Sequence, residues 1–141
     1  MIQVLSNTKA PYNISTPSAH VALAALSPSS LRNMRGKVST LISSRASLLR
    51  ELEGLASLGV GKAIGSNDAN FVLVPILNAE TGKPDNARSA KVYKALAENE
   101  GVVVRFRGNE YGCEGCLRIT VGTEDENRVA LTKLEEVLRR T

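Results

Sequence analysis

Residues 71–77, Phe-Val-Leu-Val-Pro-Ile-Leu, form an unbroken apolar run between polar segments. Seven residues is strand length rather than helix length, and the run is rich in β-branched and aromatic side chains. Because it lacks polar alternation, it predicts a strand covered on both faces. The rest of the chain must supply that cover. Pro75 has no N–H to give a neighbouring strand, so a bulge or an edge-facing side is expected there, and Val60–Ile64 is a candidate short strand to pair with the run.

The cover is written into the flanks as helices. Leu31, Met34, Val38, Leu41, Ile42, Leu48, Leu49 and Leu52 recur at steps of three and four, the apolar stripe of one long helix. It starts at Ser27-Pro28 and closes at Gly54, with Arg35, Lys37, Arg45 and Arg50 mostly off the stripe. An Ala-rich helix over Ser18–Leu26 precedes it, with Thr16 as N-cap and Pro17 at its first position. Residues 1–15 show no clean period and end in a turn-prone stretch, 9–13. Downstream, Asp85 caps a helix over Asn86–Asn99 whose expected inner face is Ala90, Tyr93, Leu96 and Ala97, with Gly101 at its C′ position. Strands follow at Gly101–Phe106 and Leu117–Val121, joined by a glycine-containing loop. Thr123-Glu124-Asp125-Glu126 is a capping box opening the last helix. Ala130, Leu131, Leu134, Val137 and Leu138 form its core stripe, and Arg139 and Arg140 fall in its last turn. This order predicts an α+β domain: helices packed on a small sheet, preceded by a long helix.

Composition excludes several functions. Two cysteines in 141 residues do not make a disulfide-rich secreted scaffold, and no apolar run approaches membrane-spanning length. The N-terminus has no basic start followed by an apolar stretch, so a cytoplasmic protein is expected, with no membrane partner. A net charge of +4 raises the question of nucleic acid. Acids and bases are interleaved, however, and the aromatics are not spaced as a base-stacking platform, so no nucleic-acid partner is expected.

Arg105 and Arg118 are the strongest candidates for chemistry. Each sits on a strand that otherwise reads apolar, where a charge must snorkel, pair or bind an anion. Both strands flank one loop, so two guanidiniums can face one cleft and grip carboxylate or phosphate. The alternative is that both point to solvent from a half-exposed sheet. Cys113 and Cys116 form a C-x-x-C that lacks further zinc ligands and runs into a strand, so they read as small packing residues. His20, on the Ala-rich helix, reads as packing or surface, and Lys9 as a surface or loop lysine with nothing apolar or cationic around it to favour imine chemistry. Gly59-Val60-Gly61-Lys62 lacks the spacing and the Ser/Thr of a phosphate loop.

The string GVVVRFRGNEYGCEGCLRITVGT (Gly101–Thr123) closely resembles the C-terminal stretch of histidinol-phosphate aminotransferases, particularly fungal ones, within the class I/II pyridoxal-phosphate-dependent aminotransferases. NTKAPYNIS (Asn7–Ser15) and NFVLV (Asn70–Val74) agree in order, so the resemblance runs from about residue 2 to the end. It implies the C-terminal small domain of a fold-type I enzyme: residues 1–30 as the junction with a large domain, and 31–141 as the long helix and small domain. It implies a homodimer that uses pyridoxal 5'-phosphate to move an amino group between histidinol phosphate and 2-oxoglutarate, giving glutamate, in histidine biosynthesis. By this resemblance Arg118 holds the α-carboxylate and lies near the hydroxymethyl group of histidinol phosphate. Arg105 helps bind the distal anion, phosphate or side-chain carboxylate. The family's Schiff-base lysine sits in an S-K-x-[FL]-x-L-A-G-x-R type of motif that this chain does not contain. No covalent cofactor attachment is therefore expected, and the chain is expected to be inactive alone. The alternative is a non-catalytic small-domain module that associates with a cofactor-bearing partner.

Overall fold

A computed structural model of the chain describes residues 1–9 and 14–141. The turn expected across 10–13 lies outside the described residues. The chain divides into two compact units, 1–38 and 39–141.

The first unit holds α1 (Ile2–Thr8), α2 (Thr16–Ala25) and the start of α3 (Pro28–Gly54). No apolar period announces α1, and none of its residues is buried. Ser15, not Thr16, caps α2: its hydroxyl accepts from the Ser18 amide at 3.4 Å. Pro17 still falls in the first turn, where a missing N–H costs nothing.

The second unit contains the rest of α3, a 3-10 turn at Ala56–Leu58, β1 (Phe71–Pro75), α4 (Asn86–Asn99), β2 (Arg105–Phe106), β3 (Cys116–Thr120) and α5 (Glu124–Leu138). The sheet order is β1-β3-β2, with both pairings antiparallel. Val72, Val74, Leu117 and Ile119 point from the sheet into a core completed by Leu48 and Leu52 of α3, Val92 and Leu96 of α4, and Leu131, Leu134, Val137 and Leu138 of α5. The domain is α+β, as expected.

Several expectations are corrected. β1 is not covered on both faces. Val72 and Val74 are 1% exposed, but Phe71 and Leu73 are only half-buried, because the helices pack on one side of the sheet. The α3 stripe is buried only toward its C-terminal end, at Leu48 and Leu52, while Met34, Val38 and Ile42 are about half exposed. The inner face of α4 is Ser89, Val92 and Leu96, rotated from the face expected from Ala90 and Ala97. Arg139 and Arg140 follow the last turn of α5 rather than lying in it. The stretch from Gly101 to Val104 is not regular strand.

Residues 60–64 do pair with the apolar run, through isolated bridges Val60↔Ile76 and Ile64↔Leu73. Between the Gly61 amide bond to the Pro75 carbonyl (2.8 Å) and the Ile64 amide bond to the Leu73 carbonyl (2.9 Å), one extra residue intervenes. Pro75 therefore turns its donorless nitrogen toward this irregular partner, leaving the ladder to β3 intact.

Candidate anion-binding site

Antiparallel pairing sets Arg105 directly opposite Arg118, and Arg118 directly opposite Leu73. Residues facing each other across a ladder share a sheet face, with Cβ atoms roughly 4.5–5.5 Å apart. Phe71, diagonal to Arg118, lies on the same face. Its ring centroid is 5.2 Å from the Arg118 guanidinium carbon, a cation–π contact. This is the face the helices leave open. The two sequence candidates are thus brought together as cross-strand neighbours.

Like charges directly opposite each other are destabilising unless something negative lies between them. Among the described residues neither guanidinium has a salt bridge, and Arg118 Nε is buried without a hydrogen-bond partner. An unsatisfied buried donor costs about 1–3 kcal/mol. Arg118 is held by its phenyl platform and not by a carboxylate, so its charge remains available. A hollow of about 260 Å³ lies on the other side of Phe71 and Leu73, walled by Ile64, Asn67, Asp68 and Ala69; neither arginine lines it.

The loop between β2 and β3 is pinned by Asn86, a residue no sequence pattern singles out. Its side-chain amide donates to the Gly108 carbonyl at 3.0 Å, and its Oδ1 accepts from the Gly115 amide at 2.6 Å. Gly115 has φ 68°, and a Cβ there would lie 2.8 Å from the Ile76 carbonyl oxygen. Within the loop, Arg107 pairs with Glu110 at 2.8 Å. Phe71 was also not legible as a site residue, because the cue is alternation within an apolar run whose exposed face is set by packing.

Other candidates fall away from chemistry. Cys113 and Cys116 are free thiols, and Cys116 is 1% exposed. Burial, and secondarily the neighbouring Cys113, push its thiol up to about 11, so it stays protonated and inert near neutrality. His20 is exposed on α2, and Lys9 closes α1. A larger cleft of about 570 Å³ lies between Gly101–Val104 and α5, but neither arginine lines it. Its acids, Asp125 and Glu126, are engaged by Arg128 and by the α5 cap. Among the described residues no cluster of three or more His, Cys, Asp or Glu could hold a metal, and no helix is long and apolar enough to cross a membrane.

Comparisons with known proteins bear on the family and the fold. The sequence profile for aminotransferase class I and II matches residues 1–134. A histidinol-phosphate aminotransferase of Schizosaccharomyces pombe is 46% identical over 137 residues, 96% of this chain and 35% of that protein. That of Saccharomyces cerevisiae is 41% identical over 138 residues, 98% of this chain and 34% of that protein. The chain therefore spans about a third of the length of the curated relatives it matches. Among solved structures, the histidinol-phosphate aminotransferase of Sinorhizobium meliloti in complex with pyridoxal-5'-phosphate superposes with a TM-score of 0.70 at 21% identity, covering 98% of this chain and 34% of that one. A phospholyase from Arthrobacter in complex with phosphoethanolamine gives a TM-score of 0.65 at 20% identity, over 79% of this chain and 27% of that one. At such identities these likenesses show the fold.

Proposed function

Because the chain belongs to the class I and II aminotransferase family, we propose that it is the substrate-gripping small domain of a histidinol-phosphate aminotransferase. That enzyme moves an amino group between histidinol phosphate and 2-oxoglutarate in histidine biosynthesis. The observation that carries this reading is the cross-strand pair Arg105↔Arg118, two guanidiniums on an open sheet face with no salt bridge among the described residues. Each of the two substrates carries an anion at a distance from its reacting carbon. In this reading Arg118, steadied by Phe71, takes the α-carboxylate or lies beside the hydroxymethyl group, and Arg105 takes the distal phosphate or carboxylate. Two fixed guanidiniums orient such a molecule, which is how a binding domain contributes to rate. Residues 1–30 then form the junction with a large domain, and 31–141 the long helix and small domain. The whole enzyme would be a cytoplasmic homodimer.

The family's cofactor, pyridoxal 5'-phosphate, supplies the electron sink for transamination. The residues gathered here do not fit it: guanidiniums, a phenyl ring and aliphatic side chains can hold an anion, but none can form an imine. The chain's own chemistry is therefore binding and orientation. Purified chain mixed with pyridoxal phosphate, histidinol phosphate and 2-oxoglutarate should produce no glutamate, and measurable turnover would show that the active site is complete within these residues.

The second reading, a non-catalytic module that docks on a cofactor-bearing partner, is favoured by the exposed apolar side chains of α1 to α3. Ile2 is 82% exposed and Val21 is 71% exposed. Co-expression with the large domain of the fission yeast relative separates the two: recovered transaminase activity that is lost in Arg118→Ala supports the substrate domain. A complex without activity supports the module.

A further inference from the structure

Arg107 is the third arginine at this edge of the sheet. Its amide donates to the Cys116 carbonyl at 2.9 Å, so the β2–β3 ladder runs one step beyond Phe106. Strand alternation then sets Arg107 on the same face as Arg105, while Phe106 between them packs against the core. Along the strand the Cα atoms of Arg105 and Arg107 are roughly 6.6 Å apart, and Arg118 sits across from Arg105. Arginine arms of that length can converge on one small anion.

Arg107 differs from its neighbours in having a carboxylate. Glu110 accepts its Nη1 at 2.8 Å from the turn that follows, where the Glu110 amide bonds back to the Arg107 carbonyl at 3.0 Å. Asn86 holds the surrounding loop at Gly108 and Gly115, so this carboxylate is kept beside Arg107 by the fold. The pair is loosely held: its side chains are 33% and 56% exposed, and such contacts contribute at most about 1 kcal/mol. A dianion reaching several guanidiniums can displace it, whereas a singly charged carboxylate gains much less from doing so.

We infer that Arg107 is a specificity-determining residue of the anion site and Glu110 its resident counter-ion: a phosphate monoester displaces Glu110 and engages Arg107 together with Arg105, whereas a distal carboxylate is held by Arg105 and leaves the Arg107–Glu110 pair closed. This rests on the reading of the open face as the anion site.

The test titrates the whole chain with histidinol phosphate or with 2-oxoglutarate at matched ionic strength, following the arginine Nε–Hε signals by NMR. Both ligands should move Arg105 and Arg118, and only histidinol phosphate should move Arg107. Arg107→Ala should weaken histidinol phosphate about tenfold and 2-oxoglutarate less than about twofold. Glu110→Gln should tighten histidinol phosphate about threefold. Lys91→Ala, which removes the same charge from an exposed position on α4, should leave the ratio of the two affinities unchanged. Equal weakening of both ligands by Arg107→Ala, or an unmoved Arg107 signal, overturns this inference and leaves the Arg105/Arg118 reading standing. If neither ligand moves Arg105 or Arg118 up to tens of millimolar, the anion-site reading fails and takes the inference with it.

Discussion

At the first turn of α4, Arg88 turns its guanidinium inward and donates to three carbonyls from three different segments. They are Leu77 at 2.6 Å, Leu58 at 3.0 Å and Leu138 at 3.4 Å. These oxygens lie at element ends, where backbone acceptors lack partners. Gly59 makes the room: its φ is 89°, and a Cβ there would collide with Arg88 Nη1 and lie 3.0 Å from the Leu77 carbonyl oxygen. Arg88→Ala should cost about 3 kcal/mol by stranding those acceptors, and Arg88→Lys should recover less than half of that, because an ammonium cannot fan across all three. Gly59→Ala should cost about 2 kcal/mol from backbone strain and collision together. Removing Arg88 relieves the collision, so urea unfolding of the double variant should show coupling of about 1 kcal/mol. Strictly additive losses would mean the two residues act independently.

Among the elements, the helix ends of α4 and α5 carry the clearest pH dependence. The Thr123 hydroxyl accepts from the Glu126 amide at 3.3 Å, and Glu126 Oε2 accepts from the Thr123 amide at 2.8 Å. The Thr123 amide, and then the Thr123 hydroxyl, which donates to the same oxygen at 2.9 Å, hold the Glu126 carboxyl below its usual range. Arg140, then Lys133, do the same to Glu100, and the Arg88 amide, then Asn78, to Asp85, the N-cap of α4. A depressed folded pKa means that the stability lent is fully present above the unfolded value and is lost as pH falls through the folded one. The unfolded values are 4.5 for the glutamates and 3.8 for Asp85, so the loss begins below that range. Lys133, raised by Glu136 and then Glu100, acts oppositely: its contribution is present below 10.5 and is lost as pH rises through its higher folded value. The buried Cys116 thiol adds a loss between 9.0 and about 11. Thr123→Ala should cost about 1 kcal/mol near neutrality. The cost should shrink in acid, where protonated Glu126 no longer serves as the acceptor. Thermal unfolding across the acid range checks this, and a cost that does not change with pH would contradict it.

For the molecule as a whole, α3 is the unevenly used element. Leu48 and Leu52 are 1% and 2% exposed, whereas Met34, Val38 and Ile42 on the same stripe are 47%, 46% and 50% exposed. Leu48→Ala should cost about 3 kcal/mol, while Ile42→Ala should stay within about 0.5 kcal/mol in urea unfolding. Exposed apolar stripes drive association. Met34→Glu together with Ile42→Glu should therefore lower self-association of the purified chain in sedimentation velocity, with little effect on its unfolding midpoint. A large fall in the midpoint would mean that the stripe already supports the fold in this chain.

Much of this was legible from local chemistry. Pro28 and Gly54 bound α3, Asp85 opens α4 and Thr123 with Glu126 opens α5, because caps and breakers act within one turn of the backbone. Arg105 and Arg118 stood out as charges in apolar runs for the same reason. α1 was not legible, since its residues have no buried face to impose a period. The cross-strand pairing of the arginines, Phe71 beneath Arg118, Asn86 in the β2–β3 loop and Arg88 among three carbonyls were not legible either. Each joins residues that lie apart in the sequence and meet only through ladder register or helix packing. The run at 71–77 shows the division clearly. Its composition dictates a strand, and Pro75 dictates an irregular partner on one side. Yet seven apolar residues say nothing about which alternate set is buried. Packing of α3, α4 and α5 against Val72 and Val74 settled that, leaving Phe71 and Leu73 on the face where Arg105 and Arg118 meet.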